Sequence, residues 1–507
     1  MRLLLAYLML CGITLYGQSD TGVYLFDLTT DSSGTQLSNQ RNISNNKGYN
    51  NQPSFYNDNQ VLFASTRNGQ TDIAAYNVRD SEITWINDTG FGSEYSPIKI
   101  PDQKAVSAIR LDTNGLQRLY RYDFESGNSE LLIKDLVIGY HVWFNDHIIL
   151  SAVLADGDLN LVRSNLKDGT NVTLQKNIGR SLHNIPNTQR ISYVSKETDD
   201  WEIKSINPLS GATKKIISIG KESEDYCWLI DGSIVLSNKN YLLKFDAKTD
   251  NRWIRLKTFT DPNIWNISRV ATNSISTQIA IVSEVSPDVI VQKHIAAFNA
   301  EDRPAYFNCF SNNVVIQNYP EQVRYKGLDQ LKKDYNNFFD RTNNLKVEVV
   351  KRMISGNKVI YEEISAADGK KQRHATIFEV ASGKITSMTF IPANGKSQEE
   401  EITEQIVQKQ LDAYNARDID AFMNTYSDDI KLYNHPSELS SEGQIAMREG
   451  YAGYFKNTKD LHCEIKNRIV IGNKVIDQGY ITANDTHFSA VAVYEVTHGK
   501  ISKVTFL

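Results

Sequence analysis

The sequence predicts a multidomain protein, in which an all-β propeller of six blades is followed by two α+β domains. Two regular spacings point to this architecture. Within the first 286 residues, six apolar, strand-like runs recur every 43 to 45 residues, and in the remaining C-terminal part a segment of 104 residues occurs twice. A unit of about 40 to 45 residues with several strands is typical of β-propellers. The longer repeat has the length of a small domain.

The N-terminus has the pattern of a secretory signal peptide. Arg2 precedes an apolar stretch that is too short to span a bilayer, and the small residue Gly17 follows that stretch. We therefore expect residues 1–17 to be cleaved off near Gly17, and the mature protein to be exported to the periplasm or the extracellular space. Cys11 raises the alternative of a lipoprotein, but the bulky Leu10 in front of it disfavours lipidation.

The propeller is expected to occupy residues 20–286. The six strand-like runs begin at Val61, Ala105, Ile148, Ile191, Ile234 and Ile279. Most are followed by a polar turn and a further strand, which is the order expected within a blade. The sixth unit stops at Ser286, before its outer strands could form, so the apolar run at residues 23–26 is expected to complete it. A ring closed in this way has no open sheet edge.

The first blade resembles the repeats of TolB-type propellers. The resemblance lies in the motifs QPSF (residues 52–55) and FASTRNG (residues 63–69), followed by Asp72, Ile73 and Tyr76. Later blades keep the spacing but share few of these residues. The resemblance implies the same propeller fold, which would present a rigid recognition face.

The C-terminal part of the chain, from residue 288 onwards, is an internal duplication. Residues 288–391 align without a gap on residues 404–507 at an offset of 116, and 33 of the 104 positions are identical. Each copy opens with apolar residues at helical spacing, as at Val291, Ile295 and Phe298. A second, short helix is expected to include Phe310 and its equivalent Tyr426, and a third helix follows it.

After Leu345 the apolar residues recur with a period of two, which predicts strands. Four strands are expected in the first copy, at residues 345–354, 359–364, 374–380 and 385–391, and glycine-containing turns separate them. Helices followed by a meandering antiparallel sheet make an α+β domain. The two domains are placed at residues 287–392 and 403–507, and the polar, acidic segment 393–402 is expected to link them.

Both copies resemble the SnoaL-like branch of the nuclear transport factor 2-like superfamily. The resemblance lies in the order of elements, in the motif FNA-x-D at residues 298–302, and in FEV-x-x-GKI at residues 378–385. It implies cone-shaped domains, each with a curved sheet wrapped around helices and a pocket at the wide end. Members of the superfamily commonly dimerise through their sheets, so the two copies could form an internal pseudo-dimer within one chain.

Several classes of function are disfavoured by composition and motifs. A net charge of −5 over 507 residues gives no reason to expect nucleic acid as a partner. The remaining cysteines, Cys227, Cys309 and Cys463, are too scattered for a disulfide framework or a metal site. The sequence lacks a phosphate-binding glycine loop, a dinucleotide fingerprint, zinc-ligand spacing, a serine-hydrolase elbow and a later membrane-spanning segment. No cofactor or metal is therefore expected.

The resemblance suggests where chemistry could occur, because isomerases of the superfamily use a carboxylate to move a proton beside a carbonyl. Strand alternation places Ile360, Glu362 and Ile364 on one face, and a carboxylate between apolar neighbours suits a base with a raised pKa. Glu362 is therefore the candidate catalytic base. In the second copy Gln478 stands in its place, and an amide cannot accept the proton.

Seven residues are candidates for lining the pockets: Tyr319, Glu362, His374, Tyr433, His435, Asp477 and His487. The candidate positions differ between the copies, for example where Ala490 replaces His374, so the copies cannot share one mechanism. We therefore favour a non-catalytic protein that binds a small apolar molecule or a cell-envelope protein. Two alternatives remain. The first copy could be an isomerase, cyclase or hydratase acting on a small apolar ligand, or the pair could be an assembly module whose side chains fill their own pockets.

Overall fold

The computed structural model describes residues 20–31, 34–90, 92–221, 223–393, 397–484 and 486–507. The signal peptide expected at residues 1–17 lies outside these ranges. The chain divides into two compact units, Met1–Ser286 and Pro287–Leu507. Among the described helices, none combines the length and the apolar character needed to cross a membrane.

The first unit consists of strands, and in its described part they form six sheets of four strands each. The strands are β1 (Thr21–Asp31), β2 (Gly34–Asn42), β3 (Asn50–Asn57), β4 (Gln60–Arg67), β5 (Gln70–Asn77), β6 (Glu82–Trp85), β7 (Ser93–Lys99), β8 (Ala105–Leu111), β9 (Gln117–Asp123), β10 (Ser129–Ile133), β11 (Ile138–Trp143), β12 (Ile148–Ala155), β13 (Asp158–Asn165), β14 (Thr170–Gln175), β15 (Ile178–Asn184), β16 (Ile191–Ser195), β17 (Glu202–Ile206), β18 (Thr213–Ser218), β19 (Tyr226–Trp228), β20 (Ile234–Asn238), β21 (Tyr241–Phe245), β22 (Ile254–Thr258), β23 (Trp265–Thr272) and β24 (Gln278–Glu284).

Each predicted strand start falls within one residue of the start of the second strand of a sheet, from β4 at Gln60 to β24 at Gln278. These second strands are buried on both faces. In β4 the consecutive residues Val61, Leu62, Phe63 and Ala64 are all buried, which explains why the runs are continuously apolar. The fourth strands are far more exposed, as in β14, where four residues in a row face solvent.

One of the sheets combines both ends of the first unit, in the strand order β2-β1-β24-β23. β1 pairs with β24 in antiparallel register, with Val23 opposite Val282 and Phe26 opposite Ile279. The apolar run at residues 23–26 thus lies in the same sheet as the sixth strand-like run. β24 therefore has a partner strand on both of its edges.

Six apolar clusters lie between neighbouring sheets. Each contains residues of two sheets that follow one another along the chain, and the sixth joins the sheet of β19–β22 to the sheet that contains β1. Phe26 of β1 packs there against Phe259, with ring centroids 5.4 Å apart. The arrangement is propeller-like, because sheets stacked face to face bury the apolar residues of both faces of each sheet.

The second unit contains the two copies, which have the same elements in the same order. The first copy comprises α1 (Pro287–Asn299), α2 (Arg303–Asn308), β25 (Phe310–Asn318), β26 (Gln322–Lys326), α3 (Leu328–Arg341), β27 (Lys346–Ser355), β28 (Lys358–Ala367), β29 (Lys370–Ala381) and β30 (Lys384–Pro392). The second comprises α4 (Ser397–Ala416), α5 (Ile419–Met423), β31 (Tyr426–Asn434), β32 (Glu438–Glu442), α6 (Gln444–Asn457), β33 (Leu461–Ile471), β34 (Lys474–Ala483), β35 (Thr486–Thr497) and β36 (Lys500–Phe506).

Each copy forms one sheet of six strands, in the order β26-β25-β30-β29-β28-β27 in the first copy. The four strands predicted after Leu345 are present and pair as an antiparallel meander. The sheet also contains two strands that were not predicted, β25 and β26, and β25 runs parallel to β30. Phe310 and Tyr426, which were expected on the second helix, are the first residues of β25 and β31. The alternating buried residues Val314 and Ile316 were the missed strand signal.

The segment expected to link the copies is partly helical, because α4 begins at Ser397. Glu400, one of the acidic residues of this segment, makes specific interactions. Glu400 accepts hydrogen bonds from Arg373 Nη1, at 2.8 and 2.9 Å, and from the backbone N–H of Gly472 at 2.9 Å. The first turn of α4 therefore contacts both copies.

The sheets of the two copies pack against each other through an apolar cluster, formed by Met353, Ile360, Ala375, Ile377, Ile391, Ile469, Ile471, Ile476, Val491 and Val493. Hydrogen bonds across this interface are related by the 116-residue offset. Lys351 Nζ donates to the carbonyl oxygen of Arg468 at 2.9 Å, and Asn467 Nδ2 donates to that of Arg352 at 2.6 Å. Such reciprocal contacts are those of a two-fold symmetric interface.

Candidate functional site

The first copy encloses a cavity of about 640 Å³. Aromatic side chains contributed by its helices and its sheet form much of the wall, and they are Phe298, Tyr306, Tyr325, Tyr335, Phe338, Phe378 and Phe390. The volume lies within the range of about 300 to 1,000 Å³ that is usual for small-molecule sites. Lys474 of the second copy also lines this cavity, so both copies contribute to its wall.

Glu363 is the buried carboxylate of the cavity, and only 2% of the residue is exposed. Its Oε2 accepts a hydrogen bond from Thr376 Oγ1 at 2.6 Å and lies 3.1 Å from His374 Nε2. Its Oε1 is buried and has no hydrogen-bond partner among the described residues. Because an unpaired buried polar atom is costly, this oxygen is suited to accept a hydrogen bond from a ligand.

His294 of α1 provides a second buried polar group in the wall. Burial lowers the pKa of this imidazole to about 3, so the ring is neutral near pH 7. Its Nδ1 has no hydrogen-bond partner among the described residues. The ring lies against Tyr306 and Phe310, with centroids 4.8 and 5.1 Å away.

Three tyrosine hydroxyls form a connected group beside the carboxylate. The hydroxyl of Tyr335 lies close enough to those of Tyr306 and Tyr325 for both to influence its pKa. Burial is the main cause that raises the pKa of each of these phenols, and the charge of Glu363 contributes to the rise at Tyr335. The three side chains are therefore neutral hydrogen-bonding groups near pH 7.

Two of the seven candidate residues, Tyr319 and His374, line this cavity. The Tyr319 hydroxyl also lies 2.8 Å from Thr505 Oγ1 of the second copy, at the edge of the interface between the sheets. Glu363, His294 and the tyrosines were not predicted. The aromatic spacing of the helices was visible in the sequence, but it equally fits a solid core.

Glu362 does not line the cavity, and its placement corrects the prediction. Alternation along β28 turns Ile360 and Glu362 towards the second copy, whereas Tyr361 and Glu363 face the helices. Glu362 Oε1 accepts a hydrogen bond from Arg373 Nε at 2.8 Å. Both faces of this sheet are buried, so the apolar neighbours of Glu362 on its own face did not show which face lines the pocket.

The four candidate residues of the second copy all contact other side chains of the protein. His435 Nε2 lies 2.7 Å from Glu379 Oε1 of the first copy, and this contact lowers the pKa of Glu379. Tyr433 lies beside Lys503, whose Nζ is 5.1 Å from the ring centroid. Asp477 is buried and bonded to Arg468. His487 is exposed, with its Nδ1 3.1 Å from Thr482 Oγ1.

The second copy lacks the polar pair of the first. Glycine at 479 and alanine at 490 occupy the positions of Glu363 and His374. A side chain could not be added at Gly479 without rearrangement, because an ideal Cβ there would lie 2.7 Å from the Sγ of Cys463. The duplicated domains therefore differ at the positions that make the first pocket polar.

The first unit contains another cavity, of about 460 Å³. Its lining includes Tyr140, Arg180 and Arg269, which lie on the first strands of three sheets, and Asp225, which directly precedes β19. Arg180 Nε and Arg269 Nη1 both donate to Asp225 Oδ1, at 3.1 and 2.9 Å. The two guanidinium groups and the carboxylate at this cavity therefore pair with one another.

Comparison with known proteins agrees with the duplication. The family model described as the SnoaL-like domain matches residues 291–388 and, separately, residues 407–504. A search of curated proteins found no significant match.

Three solved structures are similar to parts of the chain. An uncharacterised cystatin-fold protein from Novosphingobium aromaticivorans is 28% identical over 21% of this chain and 97% of its own, with a TM-score of 0.20. A protein from Kribbella flavida assigned as a ketosteroid isomerase is 21% identical, over 21% of this chain and 76% of its own, with a TM-score of 0.19. A protein from Agrobacterium tumefaciens assigned as TolB is 12% identical over 53% of this chain and 99% of its own, with a TM-score of 0.41.

Proposed function

We propose, from the premise that residues 291–388 and 407–504 are two SnoaL-like domains, that the first domain binds a small, largely apolar molecule. The observation that carries this proposal is the cavity of about 640 Å³ with an aromatic wall and a buried carboxylate oxygen without a partner among the described residues. An apolar wall with a few placed polar groups is typical of ligand sites. The presence of this cavity weighs against the alternative that the side chains of the first copy fill its own pocket.

The proposal is tested by native mass spectrometry of the full chain purified from its own host. We expect a bound small molecule, and we expect the His374→Trp substitution to weaken or remove its binding, because an indole at this position would occupy part of the cavity beside Glu363. Val350→Trp is the matched control, since Val350 lies on the same sheet but is 47% exposed. A bound molecule that persists in His374→Trp, or that is lost equally in both variants, would contradict the assignment of the pocket.

A second candidate function is proton transfer on the bound molecule, with Glu363 rather than Glu362 as the base. Oε1 of Glu363 has no partner among the described residues, so it is available to accept a proton from a substrate. The neutral tyrosine hydroxyls nearby could donate hydrogen bonds to the oxyanion that such a proton transfer creates. Turnover of the co-purified molecule that is lost in Glu363→Gln, with binding retained, would favour this function over simple binding.

We further propose that the second copy supports the pocket and replaces a partner subunit. The apolar cluster and the reciprocal hydrogen bonds between the sheets support an internal pseudo-dimer. The full chain is accordingly expected to be a monomer, with the mass of a single chain in light scattering coupled to size exclusion. A mass twice as large would show that the chain dimerises even though its two copies already pack sheet to sheet, which would contradict this proposal.

For the first unit, we propose a six-bladed β-propeller over residues 20–286, closed by its N-terminal strand, that offers a rigid recognition face to a cell-envelope protein. The six sheets and the six clusters between them support this blade count. The SnoaL-like domains are then residues 287–392 and 403–507. Export to the periplasm or the extracellular space is proposed from the sequence of residues 1–17.

A further inference from the structure

The pocket of the first domain contains a buried carboxyl group, that of Glu363, which the described residues leave incompletely paired. Glu363 receives a hydrogen bond from Thr376 and a contact from His374, and both involve the same oxygen, Oε2. Oε1 is buried without a partner among the described residues. A buried carboxylate is normally paired with a cation or fully hydrogen bonded, because its removal from water is otherwise too costly.

The other charged groups in the wall have different surroundings. Lys474 Nζ lies 3.4 Å from Glu495, so its charge is matched within the protein. Arg324 is exposed, with its guanidinium 5.1 Å from the ring centroid of Phe390. Asp334 accepts a hydrogen bond from Gln330 Nε2 at 2.9 Å. Among the described acidic and basic side chains of this wall, Glu363 is therefore the strongly buried carboxyl group.

The rings around Glu363 add a second feature that favours a cation. Tyr335 lies next to Tyr306 and Phe338, with centroids 5.2 and 6.0 Å apart, and His374 lies 5.9 Å from Phe390. The faces of aromatic rings carry negative electrostatic potential and attract ammonium groups, most strongly where water is excluded. An anionic ligand would be repelled both by the carboxylate and by the negative potential of the ring faces.

From these two features we infer that the ligand of this pocket carries a protonated amine, which donates a hydrogen bond to Glu363 Oε1, on an apolar or aromatic body held by the surrounding rings. The inference rests on the proposed binding function and specifies its ligand class. In the second copy Gly479 stands at the equivalent position, so that copy has no carboxyl group there.

Three indoles of similar shape and different charge test the inference by isothermal titration of the full chain: tryptamine, a cation; tryptophol, neutral; and indole-3-acetate, an anion. We expect tryptamine to bind at least about tenfold more tightly than tryptophol, as one charged hydrogen bond with cation–π contact would give. Indole-3-acetate is expected to bind most weakly.

The Glu363→Gln variant isolates the charge, because glutamine keeps the shape and can still accept a hydrogen bond from Thr376. It should lose the preference for tryptamine while binding tryptophol within about twofold of the unmodified protein. Glu348→Gln, an exposed position on the same sheet, is the matched control and should change neither affinity. Unchanged tryptophol binding in Glu363→Gln would also show that the variant folds.

The outcomes separate this inference from the proposed function. Binding of tryptophol or indole-3-acetate as tightly as tryptamine would overturn the amine and leave the pocket as a binding site. Retention of the tryptamine preference in Glu363→Gln would overturn the role of the carboxylate. If tryptamine fails to bind at millimolar concentration the inference fails, whereas the co-purification experiment decides the proposed function independently.

Discussion

Replacing Leu25 by alanine is expected to lower the free energy of unfolding of the first unit by about 2 to 5 kcal/mol. Leu25 of β1 is fully buried, pairs with Ala280 of β24, and belongs to the cluster that also contains Val61 and Phe63 of β4. The truncation would leave a void between two sheets, and the packing that holds the N-terminal strand in its sheet would be weakened. The size of the loss measures how much the packing of this side chain contributes to holding β1 in the sheet that it shares with β24.

Tryptophan fluorescence during urea denaturation is a direct measurement, because all six tryptophans lie in the first unit, between Trp85 and Trp265. Thr30→Ala is the matched control. Thr30 lies on the same strand but is exposed, so its replacement should change stability by no more than about 0.5 kcal/mol. Equal midpoints for Leu25→Ala and Thr30→Ala would contradict a closing role for β1.

The periodic strands of the first unit could be predicted because their apolar runs are set by burial on both faces. The first strands of the sheets could not be predicted in the same way. β3 and β7 contain Pro53 and Pro97 and several polar residues that line the cavity, so they lack both the continuous apolar run and a clear alternation. Their positions follow from tertiary structure, since they occupy the remaining edge of each buried second strand.

In the second unit, the sequence predicted the helices and the last four strands of each copy but missed the two strands before the third helix. It also did not reveal which face of each strand meets the pocket. Ile360, Glu362 and Ile364 do share a face, as alternation requires, and that face packs on the other copy. The neighbouring Glu363 enters the cavity instead. When a second domain buries the outer face of a sheet, apolar neighbours mark both faces, and only the three-dimensional structure distinguishes them.

Comparison of the copies shows the same limit at Asp477, a candidate pocket residue that proves to be half of a buried ion pair. Its two oxygens accept hydrogen bonds from Arg468 Nε and Nη2, each at 2.7 Å. The equivalent positions in the first copy are Tyr361 and Arg352, where the guanidinium lies 5.5 Å from the centroid of the tyrosine ring. The arginine is identical in both copies, and its role depends on the residue across the strand.

Replacing Arg468 by alanine is therefore expected to destabilise the second copy by about 3 to 5 kcal/mol, because the buried carboxylate of Asp477 would lose its cation. Arg352→Ala provides the matched control. Arg352 is exposed and carries no buried partner charge, so its loss should cost less than about 1 kcal/mol. Hydrogen exchange of the β33 and β34 amides, followed by mass spectrometry, would measure the loss where it occurs.

The pH dependence of this loss distinguishes a broken charge pair from lost packing. Burial raises the pKa of Asp477, and Arg468 acts in the opposite direction. A carboxyl with a higher pKa in the folded state contributes stability below its unfolded pKa, and this contribution is lost as the pH rises through the folded pKa. Without Arg468 the rise in pKa is larger, so the deficit of Arg468→Ala should be small near about pH 4 and grow towards pH 7. Adding Asp477→Asn should recover most of it at pH 7, whereas a deficit that is constant with pH and persists in the double variant would assign the loss to the packing of the arginine side chain.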